Sequence, residues 1–257
     1  MMNNSVSTAM QFEGMTSVEG LTLMNVFLGK VKESYESGLC IEFGAYKGRT
    51  AALIASTLGE KNWLHAIEQA DYLQINDLMN VSSSVTWHKE RSESFCSNVL
   101  PSLVGEQKII YTHHDASHFF SNVYTEVTSI LDYMAPKAVM VLDDFNDNFP
   151  QVRAAYYYAR YKESFPYELL LVGFNKAILV HEDAFDFYEE YMLSSFIEDM
   201  NTNGISCKLV RSDVNRHARS FFVRTKKANE DTYYGLSFWG DRFYQKSSEI
   251  LLASSLS

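Results

Sequence analysis

The stretch Cys40-Ile41-Glu42-Phe43-Gly44-Ala45-Tyr46-Lys47-Gly48-Arg49-Thr50 constrains the fold of this chain more than any other. An apolar run ends in an acid. Two glycines follow four positions apart, and an alanine-rich amphipathic segment begins at Ala51. That order predicts a buried strand, a tight turn and a helix. Glycine tolerates positive φ and lets backbone come close to a ligand. An acid just before such a turn is placed to hold a cofactor amine or hydroxyl.

The flanking pattern repeats the theme. Leu21, Met24, Val26, Phe27 and Val31 recur at helical spacing behind Ser17, a suitable N-cap. Strands are expected at residues 39–43, 63–67, 85–88, 108–115 and 138–142, with helical segments between them. One helix is expected from Val123 to Met134 and to stop at Pro136; another covers residues 151–163. Strands at 169–172 and 177–180 flank a turn at 173–176. A helix over 185–200, strands at 207–210 and 220–224 and an aromatic tail complete the chain. Strand–helix alternation over 39–145 argues for an α/β fold. The expected architecture is a Rossmann-like, doubly wound, mostly parallel seven-stranded sheet with an antiparallel pair at its edge. An N-terminal helix and a C-terminal α+β extension flank it. The expected division is a flexible tail at 1–12, a cofactor-binding domain at 13–182 and an extension at 183–257 packed on that domain.

Composition bounds the function. With 46 % apolar residues in 257, a large core can be buried. The 32 acidic against 22 basic residues give a net charge of −10, which repels a phosphate backbone and disfavours a nucleic-acid partner. Cys40, Cys96 and Cys207 lie far apart without metal-like spacing, which fits a reducing cytoplasm. No leader, membrane span or internal repeat is read from the sequence.

In a doubly wound sheet, ligands bind beyond the carboxyl ends of the strands. Glu42, Glu68, Asp115, Asp143 and Asp144 all fall at such ends, so one sheet edge gathers five carboxylates. A dinucleotide fingerprint needs a third glycine between Gly44 and Gly48, and a phosphate loop needs Gly-Lys-Ser/Thr; both are missing. A wider turn behind an acid suits a ligand without pyrophosphate, such as S-adenosylmethionine. Glu42 would hold its amine, and the amides of Gly44, Ala45, Tyr46 and Gly48 its carboxylate. Glu68 would hold its ribose, through charge-assisted bonds of roughly 1.5–3 kcal/mol each. Thr50 and Asp115 complete the expected cofactor contacts.

Glu42 to Thr50 resembles the first motif of class I S-adenosylmethionine-dependent methyltransferases. It is most similar to the small-molecule O-methyltransferases of the macrocin, mycinamicin and novobiocin type, with caffeoyl-CoA and catechol enzymes as relatives. The resemblance begins at Gly14-Met15-Thr16-Ser17-Val18-Glu19-Gly20. It continues through Leu64-His65-Ala66-Ile67-Glu68, His113-His114-Asp115-Ala116-Ser117-His118 and Val141-Leu142-Asp143-Asp144-Phe145, covering about residues 12–182. It adds Ser92 to the expected cofactor contacts, near the adenosine. It implies direct in-line methyl transfer to a hydroxyl of a sugar or other natural product. It also implies a divalent cation, usually magnesium, on Asp115, Asp143 and Asp144. Such an ion binds two vicinal hydroxyls and lowers the pKa of the one methylated.

The chain departs from that pattern at Ser117, where the antibiotic-sugar enzymes carry a second acid. His118 is the candidate general base in its place. The alternatives for His118 are stacking near the adenine or capping the helix that begins at Phe119. His113 and His114, inside a strand, are read as structural, and Lys47 and Arg49 as solvated charges at the helix start. The aromatic residues Phe185 to Phe196 read as core; those from Tyr233 to Tyr244 as a substrate lid or an oligomer contact. Arg216 and His217 offer a basic loop that could steer an anionic substrate. The rival readings are a cofactor-binding module without transferase activity, an RNA or protein methyltransferase, and a nicotinamide dehydrogenase.

Overall fold

The computed structural model describes residues 4–103, 105, 107–211, 219–225 and 244–245. Two helices come first, α1 (Asn4–Ala9) and α2 (Val18–Ser34). Strand and helix then alternate through β1 (Gly38–Phe43), α3 (Arg49–Leu58), β2 (Asn62–Ile67), α4 (Ile75–Val81) and β3 (Val85–His88). A helical run follows, α5 (Ser92–Ser94) and α6 (Leu100–Leu103) joined by a π turn, then β4 (Ile109–His114), α7 (Phe120–Ser129), β5 (Met134–Leu142) and α8 (Pro150–Lys162). The chain continues with β6 (Tyr167–Gly173), β7 (Lys176–His181), α9 (Phe185–Ser194) and α10 (Phe196–Thr202). The last elements are β8 (Cys207–Arg211), β9 (Phe221–Thr225) and β10 (Tyr244–Gln245).

All the described strands form one sheet, in the order β10-β8-β9-β6-β7-β5-β4-β1-β2-β3. β3, β2, β1, β4 and β5 run parallel, and β5 pairs antiparallel with β7. Every residue of β1 and β4 is buried, because helices cover both faces of the sheet. The order reverses between β1 and β4, which opens a crevice beyond their carboxyl ends.

Three expectations are corrected here. The sheet has ten strands rather than seven, because β9 pairs parallel with β6 and brings β8 and β10 with it. Phe221 and Val223 are buried there, so the outer edge of β6 is covered rather than left open. Residues 4–12 of the expected loose tail are in fact folded. Val6, Ala9 and Phe12 are buried, and Arg49 donates from Nε to the Phe12 carbonyl (2.9 Å) and from Nη1 to the Thr16 carbonyl (3.1 Å). A six-residue helix carries too little signal to be read alone. Finally, α7 stops at Ser129, and Pro136 lies inside β5, where the register with β4 shifts. A strand bulge is a place where the missing proline N–H does no harm.

Ser17 caps α2 as expected, its Oγ accepting the Gly20 N–H. Phe185, Tyr188, Tyr191 and Phe196 are core, packed in part around Phe27 of α2. Among the described residues no helix is long and apolar enough to cross a membrane. Arg216, His217 and the expected lid residues Tyr233 to Phe243 lie outside the described residues.

Candidate active site

Backbone bonds fix the strand ends. The N–H groups of Gly44 and Ala45 both donate to the Ile67 carbonyl (2.9 and 3.1 Å), Asp115 N–H donates to Phe43 O (2.8 Å) and Asp143 N–H to His114 O (3.0 Å). Gly44 has φ +83°, and a Cβ there would lie 2.2 Å from the Asp115 carbonyl oxygen. The turn therefore needs glycine for both conformation and space. Gly48, at φ +99°, starts α3, and Tyr46 between the glycines is also left-handed at φ 47°.

A cleft opens above these ends. Its walls are Gly44, Ile67, Glu68 and Gln69, then Glu90 to Glu93 after β3, and Ala116, Ser117, Phe119 and Asn122 after β4. Glu68 is held rigidly: Oε2 accepts the Tyr46 N–H (3.0 Å), Oε1 accepts the Ala70 N–H (2.9 Å) and its carbonyl accepts Trp87 Nε1 (3.0 Å). Asn122 donates its side-chain amide to Glu93.

Beside the cleft, four acidic side chains meet three basic ones. His113, fully buried, places Nδ1 3.1 Å from Glu42 Oε1 and Nε2 3.6 Å from Asp143 Oδ2. Lys176, also buried, donates to Asp143 Oδ2 at 2.5 Å, while Asp143 Oδ1 accepts the Asp144 N–H (2.8 Å). His118 Nε2 lies 2.7 Å from Asp144 Oδ2 and 3.7 Å from Asp115 Oδ1, and its ring packs 4.1 Å from the Phe149 ring. Asp144 itself is left-handed (φ 52°) and accepts the side-chain amide of Asn175.

The fields follow from this arrangement. Burial opposes charging of Asp143, yet the Lys176 ammonium, helped by His113, holds its carboxyl well below the usual range. Burial also opposes protonation of His113, but the carboxylates of Asp143 and Glu42 lift it to about 9. Withdrawal from water, then the charge of Asp143, pushes Asp115 up to about 6. Asp115 raises the pKa of His118 against a smaller opposing effect of burial, and Asp144 and Asp143 add to the rise.

Sequence comparison matches residues 41–145 to the family described as a methyltransferase domain. This segment holds the first four strand ends and both aspartates of β5's terminus. By this match the segment is a methyltransferase domain. Solved structures share its fold. The O-methyltransferase TomG from Streptomyces achromogenes is 16 % identical, with a TM-score of 0.54 over 70 % of this chain and 91 % of that one. The Bacillus cereus O-methyltransferase is 11 % identical, with a TM-score of 0.53 over 70 % and 92 %. The O-methyltransferase NovP is 10 % identical, with a TM-score of 0.52 over 65 % and 83 %. No curated protein matches the chain.

Gly44, Glu68 and Ser92, expected to contact the cofactor, stand in the cleft wall. Other expected contacts are placed differently. Glu42 is wholly buried, its Oε2 without a hydrogen-bond partner. The amides of Gly44, Ala45 and Gly48 are used by backbone carbonyls and that of Tyr46 by Glu68, so these four do not stand free for a ligand carboxylate. Ala45 and Thr50 are buried. Arg49 is a structural clamp rather than a solvated charge, and Lys47 pairs with Glu13. His118 does not cap α7: Ser117 Oγ accepts the Phe119 N–H and Gln151 the Phe120 N–H. His113 and His114 are buried, as expected of structural residues. Sequence reasoning missed Lys176, Asn175, Phe149 and Asn122. For Lys176 one signal existed, a cation opening the otherwise apolar run Ala177 to Val180.

The expected set Asp115, Asp143 and Asp144 does not gather as one open oxygen site. Side chains close enough to share an ion fall instead into His113–Asp115–Asp143 and Asp115–His118–Asp144. One oxygen of Asp143 is bound to a buried ammonium and the other to a backbone N–H. Asp143 therefore has no unengaged carboxylate oxygen to offer an ion.

Proposed function

We propose that this protein is an S-adenosylmethionine-dependent methyltransferase that moves a methyl group to a hydroxyl of a small molecule. The observation that carries the reading is the contact between His118 and Asp144 beside a cleft built on the β1 turn, whose wall holds the neighbours Ser117 and Phe119. Support for the cofactor comes from the carboxylate of Glu68, held at the end of β2, from Ser92 opposite it, and from the partnerless Oε2 of buried Glu42. Glu68 would hold the ribose diol, Ser92 and Asn122 would face the adenosine side, and Gly44 lets the cofactor lie against backbone. S-adenosylmethionine bound there supplies an electrophilic methyl. His118 would take the acceptor proton, and the carboxylates of Asp144 and Asp115 beside its Nε2 would stabilise the imidazolium that forms. Phe149, packed against the ring, would limit its motion. Ser117 needs no chemical role, since its hydroxyl accepts the Phe119 N–H.

TomG is described as involved in tomaymycin synthesis, and NovP as an O-methyltransferase. A natural product or sugar hydroxyl is accordingly the acceptor class we propose here. Isothermal titration with S-adenosylmethionine and S-adenosylhomocysteine tests the cofactor, and mass spectrometry of hydroxylated acceptors tests the transfer. Absence of binding to both cofactor forms sinks the reading. Tight cofactor binding with no turnover on any hydroxyl would favour a module that binds the cofactor without using it.

A further inference from the structure

We propose that Lys176 is the resident cation of this site, and that methyl transfer here proceeds without a divalent metal. The inference rests on the transferase reading but concerns a residue outside the cleft wall.

The β6–β7 hairpin delivers Lys176. Phe174 and Asn175 are both left-handed (φ 50° and 70°), the conformation of a two-residue hairpin turn, and Gly173 pairs with Lys176 to close it. The turn points two side chains at adjacent aspartates: Asn175 donates to Asp144, and Lys176 donates to Asp143 at 2.5 Å. Phe145 N–H donates to the Asn175 carbonyl (3.1 Å), which ties the hairpin to the end of β5. Lys176 is 1 % exposed and lies under α2, where a Cβ on Gly20 would be 3.4 Å from its Cε. A buried ammonium is costly unless paired, and a chain that places one here has a strong requirement for positive charge at Asp143.

The balance of charge completes the argument. Glu42, Asp115, Asp143 and Asp144 face His113, His118 and Lys176. A divalent ion bound to Asp143 would stand beside a buried ammonium and repel it at short range. An ion on Asp115, His118 and Asp144 would take the lone pair of the residue placed to act as base. With Lys176 in place Asp143 is already paired, and His118 stays free to move a proton.

Titration of free Mn2+ by electron paramagnetic resonance, in the presence of S-adenosylhomocysteine, tests this. The wild-type protein should leave the free Mn2+ signal unchanged. Lys176→Met should bind Mn2+ at least tenfold more tightly than the wild type. Adding Asp143→Asn to that variant should abolish the gain. Stoichiometric Mn2+ binding by the wild type overturns the proposal. So does a folded Lys176→Met variant, verified by circular dichroism, that gains no binding. If Lys176→Met does not fold, Lys176→Gln is read in the same way, and the wild-type titration decides by itself. Calorimetry with S-adenosylhomocysteine on the same wild-type sample keeps the outcomes apart: lost cofactor binding counts against the transferase reading, whereas Mn2+ binding with cofactor binding intact counts against Lys176 alone.

Discussion

His118 Nε2 lies 2.7 Å from Asp144 Oδ2, and the two residues come from different strand ends, after β4 and after β5. A histidine beside carboxylates is placed to take a proton, because they stabilise the imidazolium that forms. His118→Asn should lower kcat by about 10²–10⁴-fold, the usual contribution of a positioned base. S-adenosylhomocysteine affinity should stay within about twofold, because His118 is not in the wall of the cofactor cleft. A rate unchanged by the substitution would remove His118 from the mechanism.

Asp144→Asn separates orientation from proton transfer. The carboxylates of Asp115, Asp144 and Asp143 raise the pKa of His118. The base form exists above that pKa, so the acid limb of the kcat–pH profile lies at a raised pH in the wild type. Removing one carboxylate lowers the pKa and moves the limb to lower pH, while kcat falls at its plateau. A limb that stays in place or moves upward would show that another group titrates.

Gly44 sets the geometry beneath this pair. At φ +83° and with a Cβ position 2.2 Å from the Asp115 carbonyl oxygen, Gly44→Ala combines backbone strain with a backbone clash. It should destabilise the protein by about 2–4 kcal/mol, measured by urea unfolding. Gly59, with nothing within 4 Å of its Cβ position, serves as the control for conformation alone, since its φ is also positive (+73°).

The sequence discloses what is local and hides what is paired across distance. Gly44 and Gly48 are legible because two positive-φ positions four residues apart leave a mark on composition. The strand-end acids are legible because each closes an apolar run. Lys176 reaches Asp143 across 33 positions and Asn175 reaches Asp144 across 31, and no local pattern announces either contact. The same limit explains β9: its pairing with β6 depends on Phe221 and Val223 filling an edge that only the folded sheet defines. It also explains why the amides of the β1 turn looked available. Gly44 and Ala45 donate to the Ile67 carbonyl and Tyr46 to the Glu68 carboxylate, acceptors at the end of the next strand.

A pair of histidines gives the fold a pH dependence of its own. His65 Nδ1 lies 2.9 Å from His88 Nε2, so one neutral ring must donate to the other. Burial, with His88 adding to it, holds His65 down to about 4, and burial lowers His88 as well. The unfolded chain takes up these protons near 6.5, the folded chain only at lower pH, so stability falls as pH drops from about 6.5 toward 4. The loss attributable to His65 is at most about 3 kcal/mol. Urea unfolding across this window should show the decline, and His65→Gln should flatten it. An equally steep decline in that variant would place the titrating group elsewhere.

Glu68 supports the cofactor reading most directly, and its two hydrogen bonds to the protein allow a graded test. Oε2 accepts the Tyr46 N–H and Oε1 the Ala70 N–H, so the carboxylate both braces the β1 turn and faces the cleft. If it also holds a ribose hydroxyl through a charge-assisted bond contributing about 1.5–3 kcal/mol, Glu68→Ala removes that bond, and S-adenosylhomocysteine should bind roughly 10–150-fold more weakly. Glu68→Gln retains one acceptor oxygen for the turn and loses the charge, so its affinity should fall between the two. The comparison with 2′-deoxy-S-adenosylhomocysteine separates ribose contact from turn bracing. The wild type should prefer the hydroxylated ligand by about tenfold, and Glu68→Ala should lose that preference. A variant that binds both ligands weakly but keeps the ratio would mean that Glu68 acts on the turn alone.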